Sequence, residues 1–384
     1  MPLGVGDWRR ACAAGPEAPG ALAEACRERH GALAAFSIST GRAALWLALK
    51  ALKKLRPDRN RVILPAYTCP TVGRAVQAAG LQGLCADVSL GDFAISPEAV
   101  EPLLDETVLA VVAPHMFGMA CDVRTLSEQC RRHGAVLIED LAQACGAQCH
   151  GSAVGTFGGV AFNSLGRSKN VRGYKGSVLW VNDPELVESI AQEYEGLPEP
   201  ASATSGEQLK QLAIILLSNP YAWNVARRLP MLQVGAEDQD FDEHPARLAP
   251  WQAAIGSISL QRVDQYNALR KQLAAAVIEE LGTIKGLHVQ TPTTGCDSTY
   301  LRLGLRVEGG AARRDELVRR LQAAGVDARA FYTQVMYQYE WWARDERQGE
   351  CPAARELLAG NLVLPMHHGS SRLESVGLIQ VMTL

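Results

Sequence analysis

The sequence lacks the features of a membrane-spanning or exported protein. Its most apolar internal run, LAIILL at positions 212–217, is far too short to cross a bilayer. The opening residues, MPLGVGDWRR, do not have the charged and then apolar order of a signal peptide. We therefore predict a cytoplasmic protein, which at 384 residues is long enough for two domains and a substantial core.

Positive charge is not in excess, and the cysteines are not arranged in close pairs. The formal net charge of -3 gives no basic footprint for nucleic acid, so we predict no nucleic-acid partner. The ten cysteines include no CxxC pair, which argues against a metal site. The absence of an export signal argues against disulfides, so we expect the cysteines to pack as small apolar side chains. No GxGxxG follows the first predicted strand, which disfavours a nicotinamide-dependent dehydrogenase.

Short β-rich runs alternate with helical patterns over the first half of the chain. The strand candidates are AAFSIS, RVILP, LQGLCADV, VLAVVAP, AVLIED, GGVAFNS and SVLWVND. Runs such as VLAVVAP have no polar alternation, which is typical of strands covered on both faces. This order predicts an α/β fold with a mostly parallel sheet and helices on both faces.

A shift in composition after residue 195 suggests where the large domain ends. The stretch GLPEPASATSGEQ is rich in Pro, Ser and Gly, and the helical patterns LKQLAIILLSN and PYAWNVARRL follow it. Residues 249–282 are predicted as one long helical region, and STYLRLGLRV and AARRDELVRRLQAAG add a strand and a helix. We predict a large α/β domain with an N-terminal helical segment over residues 1–240, and a small α+β domain over 241–384.

The residues just after each strand candidate are the informative ones for function. In an open parallel sheet, ligands bind beyond the carboxyl ends of the strands. The reactive or polar residues found there are Thr40, Gly41, Arg42, Tyr67, His115, Asp140, Gln143, Ser164 and Lys169. Because these strand ends meet at one edge of the sheet, we expect their side chains to share a site.

The turn Thr40-Gly41-Arg42 leads directly into a helix and predicts an anion site. Backbone N–H groups and the helix dipole suit a phosphate, and the guanidinium of Arg42 adds a charged fork. An ordinary helix cap with a solvated arginine is the alternative. Tyr67 either stacks on a planar ring or belongs to the core.

Asp140 and Lys169 complete this chemistry. A carboxylate at a buried strand end is costly unless it is paired, and a protonated ring nitrogen is such a partner; otherwise Asp140 caps the LAQACGA segment. The amine of Lys169 can bond covalently to an aldehyde, whereas a solvated loop lysine is the plain alternative. An anion cradle, a ring-nitrogen carboxylate, a stacking aromatic and a reactive lysine together are what pyridoxal 5'-phosphate requires.

The central stretch LIEDLAQACGAQCHGSAVGTFGGVAFNSLGRSKN resembles the core motif of the DegT–StrS family of pyridoxal-phosphate-dependent sugar aminotransferases. Further segments are similar to that family: STGRAALWLALKAL, VILPAYTCPTVGRAVQAAG, VVAPHMFGMACDV, RLAPWQAAIGSISLQRVDQYNALR and NLVLPMHHGSS. The resemblance covers residues 33–384. It implies the fold type I architecture and a homodimer with shared active sites. It also implies transfer of an amino group, with glutamate as the expected donor, to a keto-sugar, nucleotide- or lipid-linked, in polysaccharide or secondary-metabolite biosynthesis.

The resemblance also implies a role for each candidate residue. Lys169 would hold the cofactor covalently and move a proton, which argues against the branch of the family that has histidine there. Asp140 would keep the pyridine nitrogen protonated. The other cofactor contacts would come from Thr40, Gly41, Arg42 and Ser164 at the phosphate, Tyr67 at the ring face, Gln143 at the ring hydroxyl, and Arg247 of the partner subunit.

Departures from the family pattern leave alternatives open. Gly173-Tyr174-Lys175-Gly176 stands where the family usually has G-E-G-G or G-D-G-G, and Pro245 replaces an asparagine. They indicate either a changed substrate or a non-catalytic or regulatory protein that keeps the fold. The apolar stretch 209–232, with Trp223, raises peripheral membrane contact as a further alternative, although dimer or domain packing is the preferred interpretation.

Overall fold

The computed structural model describes residues 3–200, 205–217, 245–343, 345–366 and 378–383. The helices are α1 (Val5–Cys12), α2 (Ala18–His30), α3 (Gly41–Leu55), α4 (Pro70–Ala78), α5 (Pro97–Val100), α6 (Val123–His133), α7 (Pro184–Glu195), α8 (Ser205–Leu217), α9 (Pro250–Leu260), α10 (Val263–Leu281), α11 (Gly310–Ala323), α12 (Pro352–Gly360) and α13 (Leu378–Thr383). The strands are β1 (Ala34–Ile38), β2 (Arg61–Pro65), β3 (Gln82–Ala86), β4 (Val108–Pro114), β5 (Val136–Asp140), β6 (Gln148–Cys149), β7 (Ser152–Ala153), β8 (Val160–Phe162), β9 (Ser177–Val181), β10 (Leu287–Val289), β11 (Cys296–Asp297), β12 (Arg302–Val307) and β13 (Asn361–Pro365).

Seven strands form the main sheet, in the order β1-β9-β8-β5-β4-β2-β3. The five strands from β8 to β3 run parallel to their neighbours, and β9 runs antiparallel to both β8 and β1. All seven strand candidates are present in this sheet, so the predicted α/β fold with a mostly parallel sheet is confirmed. The carboxyl ends of the parallel strands lie along one edge, which is where the candidate residues were expected.

Local sequence signals explain why the flanking helices begin and end where they do. Asp122 caps α6 by accepting the Thr125 N–H at 3.1 Å, and Gly134 ends it at a φ of 65°. Ser96 caps the short helix α5 by accepting the Ala99 N–H. Between such helices β4 is buried at all seven positions, which accounts for its uninterrupted apolar sequence.

A second, antiparallel sheet has the order β10-β12-β13 and a core of its own. The core includes Leu303 and Leu305 of β12, Leu321 of α11 and Leu362 of β13. The predicted boundary at residues 240 and 241 lies outside the described residues and stays a prediction. Not all of the later chain packs with this sheet, since α9 packs against α2, and Val335, Met336 and Trp342 after α11 pack with the core of the main sheet.

The return to the main sheet depends on a glycine. A Cβ placed on Gly83 of β3 would lie 2.1 Å from the Trp342 ring, so only glycine lets the indole lie on the strand. Trp342 is 8% exposed as a result. Trp342 therefore belongs to the core of the main sheet.

Two sequence-based expectations are wrong. Residues 249–282 form two helices, because the chain turns at Gln261 and Arg262, where the Arg262 guanidinium bonds to the Asp7 carboxylate at 2.9 and 3.0 Å. The expectation of no disulfide fails for Cys149 and Cys296, which lie opposite each other in the β6–β11 pair and are joined by a disulfide. The two residues are 147 positions apart, so no local pattern predicts the pairing.

The suggested membrane-contact surface is only partly described. Trp223 and the helical pattern PYAWNVARRL lie outside the described residues. Among the helices that are described, none combines the length and the apolar character needed to cross a membrane.

Candidate active site

Lys169 lies in the loop between β8 and β9, which folds back on itself. The Lys169 N–H donates to the Gly166 carbonyl at 3.1 Å, and the Gly173 N–H donates to the Leu165 carbonyl at 2.8 Å. Gly176, where the loop rejoins the sheet, has a φ of 126°, a conformation that favours glycine. The lysine side chain is half-buried. The strand end therefore presents this amine from an ordered turn.

The start of α3 meets this lysine loop through Ser164. A Cβ placed on Gly41 would lie 3.5 Å from Ser164 Cβ and 3.7 Å from its Oγ. A Cβ placed on Gly166 would lie 3.2 Å from Lys169 Cγ and 3.5 Å from Ser164 Oγ. Ser164 therefore stands between Gly41 and Lys169, as the strand-end argument predicts.

Thr40 caps α3, because its Oγ1 accepts the Ala43 N–H at 3.1 Å. The cap leaves the Gly41 N–H without an intrahelical acceptor, as at any helix start. The positive end of the helix dipole and this N–H lie beside Ser164, with Arg42 next along the turn. We call Thr40, Gly41, Arg42 and Ser164 the anion cradle, since this combination suits a phosphate group.

Asp140 ends β5 between β4 and β8 and is 9% exposed. Its Oδ1 accepts the Ala142 N–H at 2.8 Å. Burial raises the pKa of the Asp140 carboxyl, whereas the Ala142 bond and the charges of Lys169 and His115 act against the rise. Within the described residues Asp140 forms no ion pair. A buried carboxyl without a paired cation fits a ligand that brings a protonated ring nitrogen.

Gln143 and Tyr67 are connected through Met116 and Tyr332. The Gln143 Oε1 accepts from Arg302 Nη1 at 3.3 Å, and its Nε2 contacts Met116 Sδ at 3.8 Å. Tyr67 is fully buried and meets the Tyr332 ring edge-on at 5.0 Å, and Tyr332 Oη in turn contacts Met116 Sδ at 3.9 Å. The contacts of Tyr67 are those of a core residue, and its role as a stacking aromatic stays a prediction.

The backbone of Arg247 lies close to the anion cradle, but its side chain points away from the cradle. Its backbone forms a bridge with Ile38, two residues before the cradle. Its Nη1 lies 2.6 Å from Glu199 Oε1, its Nη2 donates to the Glu195 carbonyl at 3.0 Å, and its guanidinium covers the Tyr194 ring at 5.2 Å. Within its own chain Arg247 is therefore paired with Glu199. Its contribution to a partner's site stays a prediction.

Sequence reasoning missed the residue that anchors the lysine loop. Asn170 is 2% exposed, and its Nδ2 donates to Asn267 Oδ1 at 3.2 Å and to Thr299 Oγ1 at 3.1 Å. Asn267 in turn donates to the Cys145 carbonyl at 2.9 Å. These bonds tie the residue after Lys169 to α10 and to the chain before β12. The partners are 97 and 129 positions away, so the sequence does not predict these bonds. The only feature of the sequence that could have drawn attention to Asn170 is its position next to Lys169.

The altered loop at 173–176 is held by packing on its tyrosine. The Tyr174 ring lies 5.4 Å from the Trp251 ring, and the Arg167 guanidinium lies 5.6 Å from the same tyrosine ring. Lys175 is exposed. The departure from the family pattern thus leaves the turn around Lys169 ordered.

The candidate residues therefore fall into one group and two outliers. Lys169, Ser164 and Gly41 are neighbours, and the charge of Lys169 acts on Asp140. An amine, a buried carboxyl and a helix start beside a hydroxyl can together bind a flat, phosphorylated aldehyde with a basic ring nitrogen. Within this chain the Arg247 side chain is paired with Glu199, and Tyr67 has the contacts of a core residue.

Comparison with known proteins agrees with this geometry. The model of the DegT/DnrJ/EryC1/StrS aminotransferase family matches residues 11–376. A curated relative, the dTDP-3-amino-3,4,6-trideoxy-alpha-D-glucose transaminase of Streptomyces venezuelae, is 27% identical over 92% of this chain and 82% of its own. Another, named pleiotropic regulatory protein, from Geobacillus stearothermophilus, is 26% identical over 90% of this chain and 82% of its own.

Solved structures share the architecture as well. The aminotransferase TlmJ from Streptoalloteichus hindustanus superposes with a TM-score of 0.77 at 24% identity, over 98% of this chain and 95% of that one. At that identity the likeness concerns the fold. The fold is that of the fold type I pyridoxal-phosphate-dependent aminotransferases.

Proposed function

The chain belongs to the DegT/DnrJ/EryC1/StrS aminotransferase family and is an aminotransferase, and from this premise we propose that it uses pyridoxal 5'-phosphate to move an amino group from glutamate to a keto-sugar. The observation that supports the proposal most is the grouping of Lys169, Asp140 and the anion cradle at one sheet edge. A family membership alone would not require these groups to be close. Their closeness gives the cofactor a place for its aldehyde, its ring nitrogen and its phosphate.

Each of these residues has a distinct task in the proposed site. When bound, the cofactor supplies an electron sink that makes the proton on the carbon next to the amino group acidic. Lys169 Nζ would hold the aldehyde carbon and, as a free amine, would be the group that carries that proton. The Asp140 carboxylate keeps the ring nitrogen protonated, which makes the ring a better electron acceptor. The Gly41 N–H and the Ser164 hydroxyl would bind the phosphate.

Asn170 is a positioning residue in this scheme. Its bonds to Asn267 and Thr299 hold the backbone next to Lys169, so the amine approaches the cofactor from a fixed direction. Gln143 is proposed to lie at the ring hydroxyl, where Arg302 orients its amide. Tyr67 keeps its proposed place near the ring face.

The keto-sugar acceptor is proposed from the names of the relatives. A transaminase named for an aminated dTDP-sugar is similar over nearly the whole chain. A nucleotide- or lipid-linked sugar in polysaccharide or secondary-metabolite biosynthesis is the corresponding proposal here. A purely regulatory protein is not favoured, because Lys169, Asp140 and the cradle are all kept. The regulatory name of one relative is not extended to this chain.

The quaternary proposal is a homodimer with shared sites. Arg247 would turn from Glu199 toward the cradle of the partner subunit, and its neighbour Pro245 would not replace the phosphate contact of an asparagine. The cytoplasmic location predicted from the sequence remains part of the proposal.

Covalent labelling tests the central claim. We expect borohydride treatment of the cofactor-loaded protein to fix the cofactor on a single peptide that contains Lys169, as read by mass spectrometry. Lys169→Ala should fold, show no lysine-bound chromophore and lose amino transfer from glutamate by at least about 1000-fold, because both the covalent bond and the proton carrier are removed.

The matched control is Lys285→Ala, which removes an exposed lysine far along the chain. It should keep both the chromophore and the activity. Retained transfer in Lys169→Ala, or cofactor mass on another lysine, would refute the role.

A further inference from the structure

Three arginines from separate parts of the chain meet beside the lysine loop. Arg172 follows Lys169 in the same loop, Arg270 lies on α10 and Arg302 begins β12. Arg270 is 5% exposed, and its Nη1 donates to Asn267 Oδ1 at 2.9 Å, the same oxygen that accepts from Asn170. The arginine on α10 is therefore only one side chain away from the anchor of the lysine loop.

Arg302 lies near the same anchor of the lysine loop, next to the turn that follows Asp140. Its Nη1 donates to Gln143 Oε1 at 3.3 Å, and its guanidinium lies 4.7 Å from the Phe331 ring. Gln143 follows Asp140 by three positions in a turn. Arg172 completes the group, with its backbone N–H donating to Ser259 Oγ at 2.7 Å and its side chain half-buried.

Three aspartates, in α1, α10 and β11, already form ion pairs with other residues. Asp264 binds Arg29, Asp297 binds Lys271, and Asp7 binds Arg262. Within the described part of the chain, no carboxylate forms an ion pair with Arg172 or Arg270. Removing a guanidinium from water without a counter-ion is costly, so a protein rarely does so unless a ligand supplies the missing charge.

The electrostatics of the group agree with that view. Burial, together with repulsion from Arg172 and Arg302, lowers the pKa of Arg270 to about 10. Burial also lowers the pKa of Arg172, and the nearest group that counters this effect is the Tyr266 phenol. Mutual repulsion of this kind is relieved when an anion binds between the charges.

We infer that Arg172, Arg270 and Arg302 bind a carboxylate or phosphate oxyanion of the substrate whose amine or ketone reacts at Lys169. The inference rests on the proposed function, because that function places a substrate at the lysine. The guanidinium fork suits both oxyanions. The oxyanion comes either from the carboxylate of the amino donor or from the phosphate of an activated sugar acceptor.

The three arginines divide the task. Arg270 is buried and fixed by Asn267, so it supplies charge from a rigid position. Arg172 and Arg302 are half-buried and reach the ligand directly. Variants of these two residues remove the contacts without opening a cavity in the helix packing around Arg270.

Anion binding by the cofactor-loaded protein tests the inference, since the cofactor keeps the anion cradle filled. The probes are glutarate, which has the carboxylates of glutamate but no amine, and inorganic phosphate, each measured by titration calorimetry. Arg172→Gln and Arg302→Gln should each lower the affinity for the probe by about ten-fold or more, and Arg172→Lys should recover part of the lost affinity. Arg167→Gln is the matched control, because Arg167 is an exposed arginine of the same loop and should bind the probe as wild type does.

The two probes separate the two sources of the oxyanion. Glutarate binding that depends on the arginines supports the donor carboxylate, and phosphate binding that depends on them supports the sugar phosphate. The inference is overturned when neither probe binds wild type, or when the Gln variants bind like Arg167→Gln. Melting temperatures close to wild type exclude misfolding as the cause.

A failure of the proposed function would look different. Wild-type protein that binds a probe through the arginines, but whose lysine-bound chromophore is unchanged by glutamate, would refute glutamate as donor and leave the oxyanion site standing.

Discussion

Two carboxylates are adjacent in the sequence of β5, and they differ in how many hydrogen bonds the protein gives them. Glu139 is fully buried and accepts the N–H groups of Gly155, Phe157 and Gly158 at 2.7 to 2.8 Å. Asp140, on the other face of the same strand, accepts one N–H and forms no ion pair within the described residues. The protein itself satisfies the charge of Glu139 with hydrogen bonds and leaves the charge of Asp140 to be satisfied by a ligand.

The difference separates a structural charge from a functional one. The three bonds to Glu139 fix the turn at 155–158, which precedes β8 and so sets where Ser164 and Lys169 emerge. His115 Nε2 adds a long contact to Glu139 Oε2 at 3.4 Å. Asp140 has no comparable support, which is the state expected of a group whose partner arrives with a ligand.

Of the two carboxylates, Asp140 should have the larger effect on activity when it is replaced, with little effect on folding. We expect Asp140→Asn to lower amino transfer by about 100-fold or more, because an amide cannot hold the ring nitrogen in its protonated form. The cofactor-free variant should unfold at the same denaturant concentration as wild type or at a higher one, since a buried, unpaired charge has been removed. Activity and denaturant unfolding measured on one preparation test both halves.

A loss of stability of several kcal/mol in cofactor-free Asp140→Asn would overturn this comparison. It would mean that the protein already satisfies the Asp140 charge and that the two carboxylates do the same work.

Replacing Glu139 should reverse the pattern. Glu139→Gln puts an NH₂ group opposite backbone N–H donors and removes charge-assisted bonds, so we expect the free energy of unfolding to fall by about 2–3 kcal/mol. The folded fraction should keep its cofactor chromophore. Urea unfolding followed by circular dichroism measures the loss, and Glu128→Gln, at an exposed surface pair with Arg124, should change it by less than about 0.5 kcal/mol.

The sequence predicted one member of this pair and not the other. Asp140 stood out because it ends an apolar strand in a predicted parallel sheet, where ligands bind. Glu139 sits one position earlier, in the same apolar run. Its partners lie 16 to 19 positions away in a turn whose geometry no local pattern predicts.

The same distinction explains the rest of the site. Thr40, Gly41 and Ser164 come just after strand ends and Lys169 lies in the loop after β8, so the alternation of strands and helices was enough to bring them together. Asn170 and Arg302 act through partners more than 90 positions away, and Cys149 meets Cys296 only because β6 and β11 pair. Such contacts depend on the register between distant segments, which a single sequence does not specify.

The smallest expected effect is in the pH dependence of stability without cofactor. Burial raises the pKa of Asp140, although Ala142, Lys169 and His115 oppose the rise, so the folded protein holds this proton more tightly than the unfolded chain does. Stability should therefore fall as pH rises from the ordinary aspartate value of 3.8 to the raised one, and the loss should then remain constant. The melting temperature of Asp140→Asn minus that of wild type should grow over this window and then level off.

Asp7 provides the opposite sign in the same experiment. Its bond to Arg262 holds the pKa of the Asp7 carboxyl well below the ordinary value, so its contribution is complete above 3.8 and is lost as pH falls. Wild type should be more stable than Asp7→Asn near neutral pH, and this difference should shrink in acid. Wild type should be less stable than Asp140→Asn near neutral pH, and that difference should also shrink in acid. A pH-independent difference for Asp140→Asn would mean that this carboxyl is not held for a cation. In that case the contrast with Glu139 would rest on hydrogen bonds alone.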